Sequence, residues 1–588
     1  MKKTLLAASM LAASSALLIG CQTEREINIQ KDTADLVLHS GAIYTVELDN
    51  PWAEAIAIKD GKIAFVGDTK QAKSYIGEHT EVVDLDDKFV VPGFQDAHIH
   101  PLEGASLETF LGCRMEDIGE DRNPEHWIDF LKKCNDVETP HGWVLGGGHD
   151  MVDLLTLGRM PKEVLDDAFP DRPAAFMEKS SHSMWVNSKA LEVTGITRDT
   201  PDPQGGIIYK DIRTGEPNGI LSDSAGDELL HKALKKNPAL QKARYEALLI
   251  GQDLMAENGI TSATNARVYW ERGNLEPWLE AEKADDLKIR NVMALWAYPH
   301  MDDDKQLAQL KSMYRDDRES KLRLSQIKFY SDGTVSNNSA AVLVPYAKLI
   351  HPHSHPMGLN YFTEERMAKY IAELEVVGFD AHIHALGDRG VRESLNAIEY
   401  ARQANPGYQG DRRHQLTHVT VLDEQDMTRF KESGVIANFQ INFDPEFMKL
   451  AASDPIKSET GDPWFEMIAN SDAKVMAVLP TYEAGAKVVL SSDWDVSEMY
   501  PLYSVENLAK MYEGKLPKDD LLAIAMQAYT LNAAYALKQE DMTGSLKTGK
   551  YADFVILDQN IFTVPLEAVD ETQVLATYVG GKAVYRSE

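Results

Sequence analysis

Between residues 35 and 90 apolar and polar positions alternate in short runs, ADLVLHSGAIYTV, AEAIAIKDGKIAFVG and EVVDLDDKFVV. A two-residue period of this kind marks half-buried strands. The Asp60-Gly61 pair between apolar runs is a hairpin signal. The same texture returns at the far end of the chain in KYADFVILD and VLATYVGGKAVY. Residues 35–90 and 541–588 are therefore expected to build one small β-sandwich domain. Between them strand-like runs alternate with helical ones. LQKARYEALLIGQDLMAENG predicts a helix closed by Gly259, and ITSATN a strand after it. KIRNVMALW, LRLSQIKFY, FDAHIHAL, RHQLTHVTV, VIANFQIN and AKVVLSSDW follow, separated by helix-length spacers. With VVPGFQDAHIH, which ends at His100, they make eight, the count of an α/β (β/α)8 TIM barrel. The barrel is expected over residues 91–540. Residues from about 104 to 240 break the alternation and read as a large insertion after the first strand.

The first 20 residues have a different texture: Lys2 and Lys3, then an apolar run, then small residues. This pattern predicts a signal peptide. The stretch Leu18 to Cys21, LIGC, resembles the lipobox of bacterial lipoproteins. That resemblance implies cleavage before Cys21, its acylation, and a polar tether over residues 21–34 that leaves the protein lipid-anchored to a membrane. Gln22 rather than aspartate after the cysteine implies the outer membrane, facing the periplasm. The formal net charge of −32 argues against nucleic acid as a partner, since phosphate binding needs a basic surface. Beyond Cys21 only Cys113 and Cys134 remain, too few thiols for a thiolate metal site. Whether they pair depends on a separation the sequence does not give.

In a barrel of this kind chemistry sits at the C-terminal ends of the strands. Strand one ends in His98 and His100, strand four carries Lys328, strand five His382 and His384, strand six His418, and strand eight ends in Asp493. Imidazoles and a carboxylate arriving from separate strands are the donor set of a divalent-metal site. The same segments resemble the amidohydrolase superfamily, and within it the amidohydrolase-3 or YtcJ-like group. PGFQDAHIH is similar to its first-strand metal motif, HALGDRGV to its fifth-strand segment, LSSDW to its eighth-strand aspartate, and GSLKTGKYADFVILD to the return from barrel to β-domain. FPDRPAAF, HSMWVNSKAL and TPDPQGGIIYKD resemble its insertion, so the likeness spans residues 35–588.

The resemblance implies one or two divalent ions per chain, with zinc the expected metal. His98 and His100 would hold one ion with Asp493; His384 and His418 would hold the second. Lys328 matches a position that is carboxylated in many relatives and bridges two ions; a plain ammonium does not ligate a cation. His384 is chosen over His382 because it precedes ALGD. The implied reaction is hydrolysis of a small-molecule substrate at a non-peptide carbon–nitrogen bond (amide, cyclic amide or formamide) by metal-activated water. Asp493 would be the catalytic residue, taking a proton from water and returning it to the leaving nitrogen. A homo-oligomer is compatible with this reading. His149, in a Gly-rich turn, and His182, Trp185 and Asn187, in the insertion, are substrate-contact candidates.

Two departures from the group's pattern are visible. Ser180-Ser181 stands where Asp-Gly is usual, and Val335-Ser336-Asn337-Asn338 replaces a run that often carries an arginine. The second puts anionic-substrate recognition in doubt. His351, His353 and His355 lie in a Pro-rich run without carboxylates and read as a solvated loop. Two other functions stay open: isomerisation or decarboxylation on the same barrel, and a non-catalytic binding lipoprotein, which would have no need for Asp493.

Overall fold

The computed structural model describes residues 33–109, 113–118, 123–134, 142–234, 238–453 and 462–587. The expected signal peptide, Cys21 and all of the tether before Thr33 lie outside these residues. Eight strands form one sheet in chain order: β1 Phe94–Ile99, β2 Ile260–Val268, β3 Arg290–Trp296, β4 Leu322–Tyr330, β5 Asp380–Ala385, β6 Gln415–His418, β7 Ile436–Phe439 and β8 Lys487–Leu490. Every neighbouring pair is parallel. The helices between them include Pro238–Glu257, Glu364–Glu375 and Asp388–Ala404. The seam between β8 and β1 is bridged just past the last strand. The Asp493 N–H donates to the His98 carbonyl (2.8 Å) and the Ser492 N–H to the Asp96 carboxylate (3.1 Å). The result is a nearly closed α/β barrel.

The predicted strands are all present, with two differences in extent that bear on the site. Strand β2 runs on to Val268 instead of stopping at Asn265, which brings Arg267 onto the barrel. Strand β8 stops at Leu490, so Asp493 sits in the loop beyond it, with a φ of 59°. Gly259 turns the chain from helix Pro238–Glu257 into β2 at φ +76°, where a Cβ would come within 3.0 Å of Phe94. That is the left-handed turn only glycine adopts without cost.

Residues before β1 form a four-stranded sheet of their own and share a six-stranded one with residues after Tyr551. A four-stranded sheet orders Lys62–Gly67, Ala55–Lys59, Leu36–His39 and Glu81–Asp84. In a six-stranded sheet Phe554–Leu557 pairs antiparallel with Phe89–Pro92. Apolar side chains from both ends of the chain, among them Leu36, Ile56, Val90, Phe554 and Tyr578, pack in one core. The join to the barrel is electrostatic as well as apolar. Arg290, the first residue of β3, meets Asp553 through Nε at 2.8 Å, and Asp553 also accepts the Gly580 N–H at 2.6 Å. Both side chains are buried. Asp553→Ala is therefore expected to cost about 3–5 kcal/mol, because it strands the Arg290 guanidinium; urea unfolding would measure it.

Between β1 and β2 the chain forms its own six-stranded sheet, ordered Gly206–Lys210, Pro217–Asp223, Ser183–Val186, Ala174–Glu178, Val144–His149 and Cys113–Arg114. Cys113 and Cys134 are joined by a disulfide that ties its edge strand to helix Pro124–Lys133.

Candidate metal centre

At the C-terminal end of the barrel His98, His418 and Asp493 each offer a ligand atom within 4.8 Å of the other two. Asp493 Oδ1 lies 3.1 Å from His98 Nε2 and 3.0 Å from His100 Nε2. Lys328 Nζ stands 3.4 Å from His98 Nε2. The His384 ring is centred 4.3 Å from that of His418. The strand ends thus bring together all six residues singled out as ligands. His418 stands beside His384, as expected, and also offers a ligand atom to the group with His98 and Asp493.

His382 and His384 have separate employments. Below the cluster Gln326 donates through Nε2 to the Ala536 carbonyl (3.3 Å), which turns its Oε1 toward His382 Nδ1 at 2.9 Å. Gln415 Nε2, 3.1 Å from that nitrogen, also donates to Gln326 Oε1 at 3.4 Å. The nearer contact, to the Gln326 oxygen, gives His382 Nδ1 the hydrogen and makes its Nε2 an acceptor. His98 Nδ1 must then donate across the 2.8 Å contact to His382 Nε2. That leaves His98 Nε2 with a lone pair facing Asp493. Both His382 nitrogens are spent in this chain. His384 instead spends Nδ1 on Asp332 (3.2 Å) and lines the cavity above.

The electrostatics suit a cation. Burial, reinforced by neighbouring charge, holds His98, His382, His384 and His418 well below the ordinary imidazole range, so all four are neutral. Burial drives Lys328 well down as well, against the opposing pull of Asp493. Burial alone would raise Asp493. The hydrogen bond from His100 outweighs it and keeps the carboxyl below the usual carboxylate range. His100 Nδ1 is buried without a hydrogen-bond partner. Neutral imidazoles, a carboxylate and an orphaned ring nitrogen fit a divalent ion.

Above the cluster lies a cavity of about 530 Å³. His100, His384, His418 and Asp493 line one part; Leu386, Phe443, Phe447, Trp464 and Met476 line another. Of the substrate candidates, His182 lines it, stacked on Tyr330 at 5.1 Å. His182 Nδ1 bonds Asp223 (2.8 Å), which also accepts from Tyr361 (3.0 Å) and Ser222 (2.6 Å). Trp185 is fully buried in the core of the inserted sheet and donates to the Pro161 carbonyl. His149 packs against it, ring centres 5.4 Å apart, and Asn187 caps helix Ser188–Thr194. These three are not among the residues that line the cavity. The His351 ring rests on Tyr209 (5.0 Å), and the one group of three ligating side chains found among the described residues does not include that loop.

Several site residues escaped the sequence. Asp332 accepts from the Ala341, Leu386 and Gly387 N–H groups (2.9, 3.0 and 2.8 Å) as well as touching His384. Burial still pushes its carboxyl up to about 6. It directly follows the fourth strand, where a carboxylate is itself a signal. Arg267 was hidden by the early end assigned to strand two. Asp223 meets His182 across 41 positions of the insertion, and no local pattern marks it.

Residues 81–585 match a family described as the amidohydrolase family. Curated relatives include Protein LONG AFTER FAR-RED 3 of Arabidopsis thaliana, 29% identical over 94% of this chain and 92% of the relative. Putative amidohydrolase YtcJ of Bacillus subtilis is 26% identical, covering 93% and 99%. N-substituted formamide deformylase of Arthrobacter pascens is 25% identical, covering 94% and 98%. Among solved structures, an uncharacterized metal-dependent hydrolase from Pyrococcus horikoshii shares the fold with a TM-score of 0.66 at 21% identity, covering 90% of this chain and 99% of the other.

Proposed function

The chain belongs to the amidohydrolase family, and from that premise we propose that it is a metal-dependent hydrolase of a small molecule, cutting a non-peptide carbon–nitrogen bond. One observation carries the reading: His98 Nε2 and the Asp493 carboxylate face each other at 3.1 Å, with His418 beside them, next to a substrate-sized cavity. With His98 in the tautomer its contact to His382 favours, a cation between the two would satisfy both. His98, His100 and Asp493 would hold one divalent ion and His384 and His418 a second, with a carboxylated Lys328 available to both. A bound ion would supply Lewis acidity toward water and toward the carbonyl oxygen. Zinc is the ion this donor set favours.

The chain's own residues do the rest. Asp493 is held ionised and is the group able to accept a proton from the attacking water and return it to the leaving nitrogen, which cannot depart as an anion. The Gln326–His382–His98 chain holds the His98 lone pair in place. Gln326→Leu removes the acceptor at its base and is expected to weaken metal affinity ten- to a hundredfold, measured by chelator competition. Lys328 Nζ, 3.4 Å from His98 Nε2, would be a ligand once carboxylated: its free amine adds CO2 and loses a proton to become a carbamate. The apolar wall of Phe443, Phe447 and Trp464 suits a substrate with an apolar substituent, so N-substituted formamides and simple amides make the first panel.

The same reading treats residues 35–90 with 541–588 as a β-sandwich domain and about 104–240 as an insertion within the barrel of 91–540. The strand pairing across the two ends and the separate inserted sheet support this division. Export and acylation at Cys21 complete the proposal. A Cys113–Cys134 disulfide supports an oxidising compartment, and mass spectrometry of the mature N-terminus tests the anchor. The function itself is tested by elemental analysis together with turnover of the amide panel, on the wild type and on Lys328→Ala. One or two ions per chain with amine release is the expected result. No bound metal after reconstitution, or no water-consuming turnover, would remove the hydrolase reading.

A further inference from the structure

A second cavity of about 150 Å³ adjoins the first. Arg267, Lys179 and Ser181 line both. In its wall three arginines, Arg244, Arg267 and Arg272, are only 4%, 4% and 5% exposed. Arg272 has a counter-ion in Asp227 at 3.2 Å. For the other two no carboxylate lies within ion-pair distance among the described residues. Arg244 Nη1 donates to the Arg272 carbonyl (2.7 Å), Arg267 Nη1 donates to the Tyr330 hydroxyl (3.0 Å), and Arg267 Nε has no acceptor. A guanidinium is always charged, and burying it against neutral acceptors alone is costly.

Other lining groups are unsatisfied too. Both Glu103 carboxyl oxygens and Asn274 Oδ1 are buried without a hydrogen-bond partner. Lys179 is paired with Asp150 at 2.6 Å, as Arg272 is with Asp227, which leaves Arg244 and Arg267 as the guanidinium groups in this wall without an ion pair. The wall therefore offers an unused donor at Arg267 Nε and unused acceptors at Glu103 and Asn274.

We infer that this side cavity is an anion subsite, in which Arg267 and Arg244 hold a carboxylate carried by the substrate. A carboxylate matches the guanidinium fork and supplies the missing counter-ion. Glu103 and Asn274 can take hydrogen-bond donors from the neighbouring part of the same molecule. Resting on the hydrolase reading, the scissile bond lies in the main cavity, one side chain away. Tyr330 spans the two, its hydroxyl on Arg267 and its ring 4.4 Å from that of His384. The run after Asp332 has no arginine, but strand β2 supplies a guanidinium to the same cavity through Arg267. The substrate class narrows to small amides that also carry a free carboxylate.

Non-hydrolysable diacids test this with metal-loaded full-length protein. Affinities for glutarate, adipate and pimelate are compared by calorimetry with those of the monoacids of equal length. The tightest diacid is expected to exceed its monoacid at least tenfold, one carboxylate at the metal end and one at the arginines. In Arg267→Gln and in Arg244→Gln the ratio should fall to threefold or less, with circular dichroism checking the fold of each. A wild type in which no diacid beats its monoacid overturns the proposal without any variant. So does an advantage that survives both substitutions. If no amide is turned over yet the diacid advantage holds and depends on the arginines, the anion subsite stands and the hydrolase reading falls.

Discussion

Asp493→Asn is expected to lower kcat/KM by about 10²- to 10⁴-fold, the span of a general acid–base group, while the protein stays folded. The substitution keeps the size and shape of the side chain. Asn also accepts the left-handed backbone that Asp493 adopts at φ 59° better than other residues do. The seam hydrogen bond from its N–H to the His98 carbonyl is a backbone contact and is retained. What disappears is the negative charge facing His98 Nε2 and His100 Nε2 and the ability to accept a proton. Turnover of the best amide and a thermal melt, measured on the same preparation, check both halves. A variant with wild-type kcat/KM would remove Asp493 from the chemistry.

The second large effect is expected at His98. This side chain is the hub of the cluster: Nδ1 meets His382, and Nε2 faces Asp493 and Lys328. His98→Ala leaves the buried His382 Nε2 without its donor, opens a void beneath the cavity, and removes the lone pair aimed at Asp493. The expected cost is roughly 2–5 kcal/mol of stability, the sum of an unsatisfied buried group and a cavity. At least one bound ion per chain should be lost with it, and amide turnover should fall to background. Urea unfolding and elemental analysis read the two separately. Full metal content in His98→Ala would exclude this residue as a ligand. His382→Phe is a useful contrast. It breaks the same contact from the other side, so it should weaken metal affinity without abolishing it.

The hydrophobic pattern by itself determined the eight strands and their order, because parallel strands buried on both faces read as apolar runs and helices as amphipathic spacers. It also put His98, His100, Lys328, His382, His384, His418 and Asp493 at strand ends, which converge in one barrel whatever fills the loops; the choice among them came from the family resemblance. Periodicity reports burial along one element and carries nothing about contacts between elements, so partnership had to come from the fold. The spending of both His382 nitrogens on Gln326 and His98 is one such case, and the union of His182 with Asp223 within the inserted sheet is another. The fate of Trp185 is a third: an aromatic in the insertion is equally apt for a pocket or a core, and only packing sends it to the core. Arg244 and Arg267 are the last case. Each is an unremarkable arginine in the sequence, and only tertiary structure buries them in one wall without a counter-ion, where the energetics of an unpaired charge demand one.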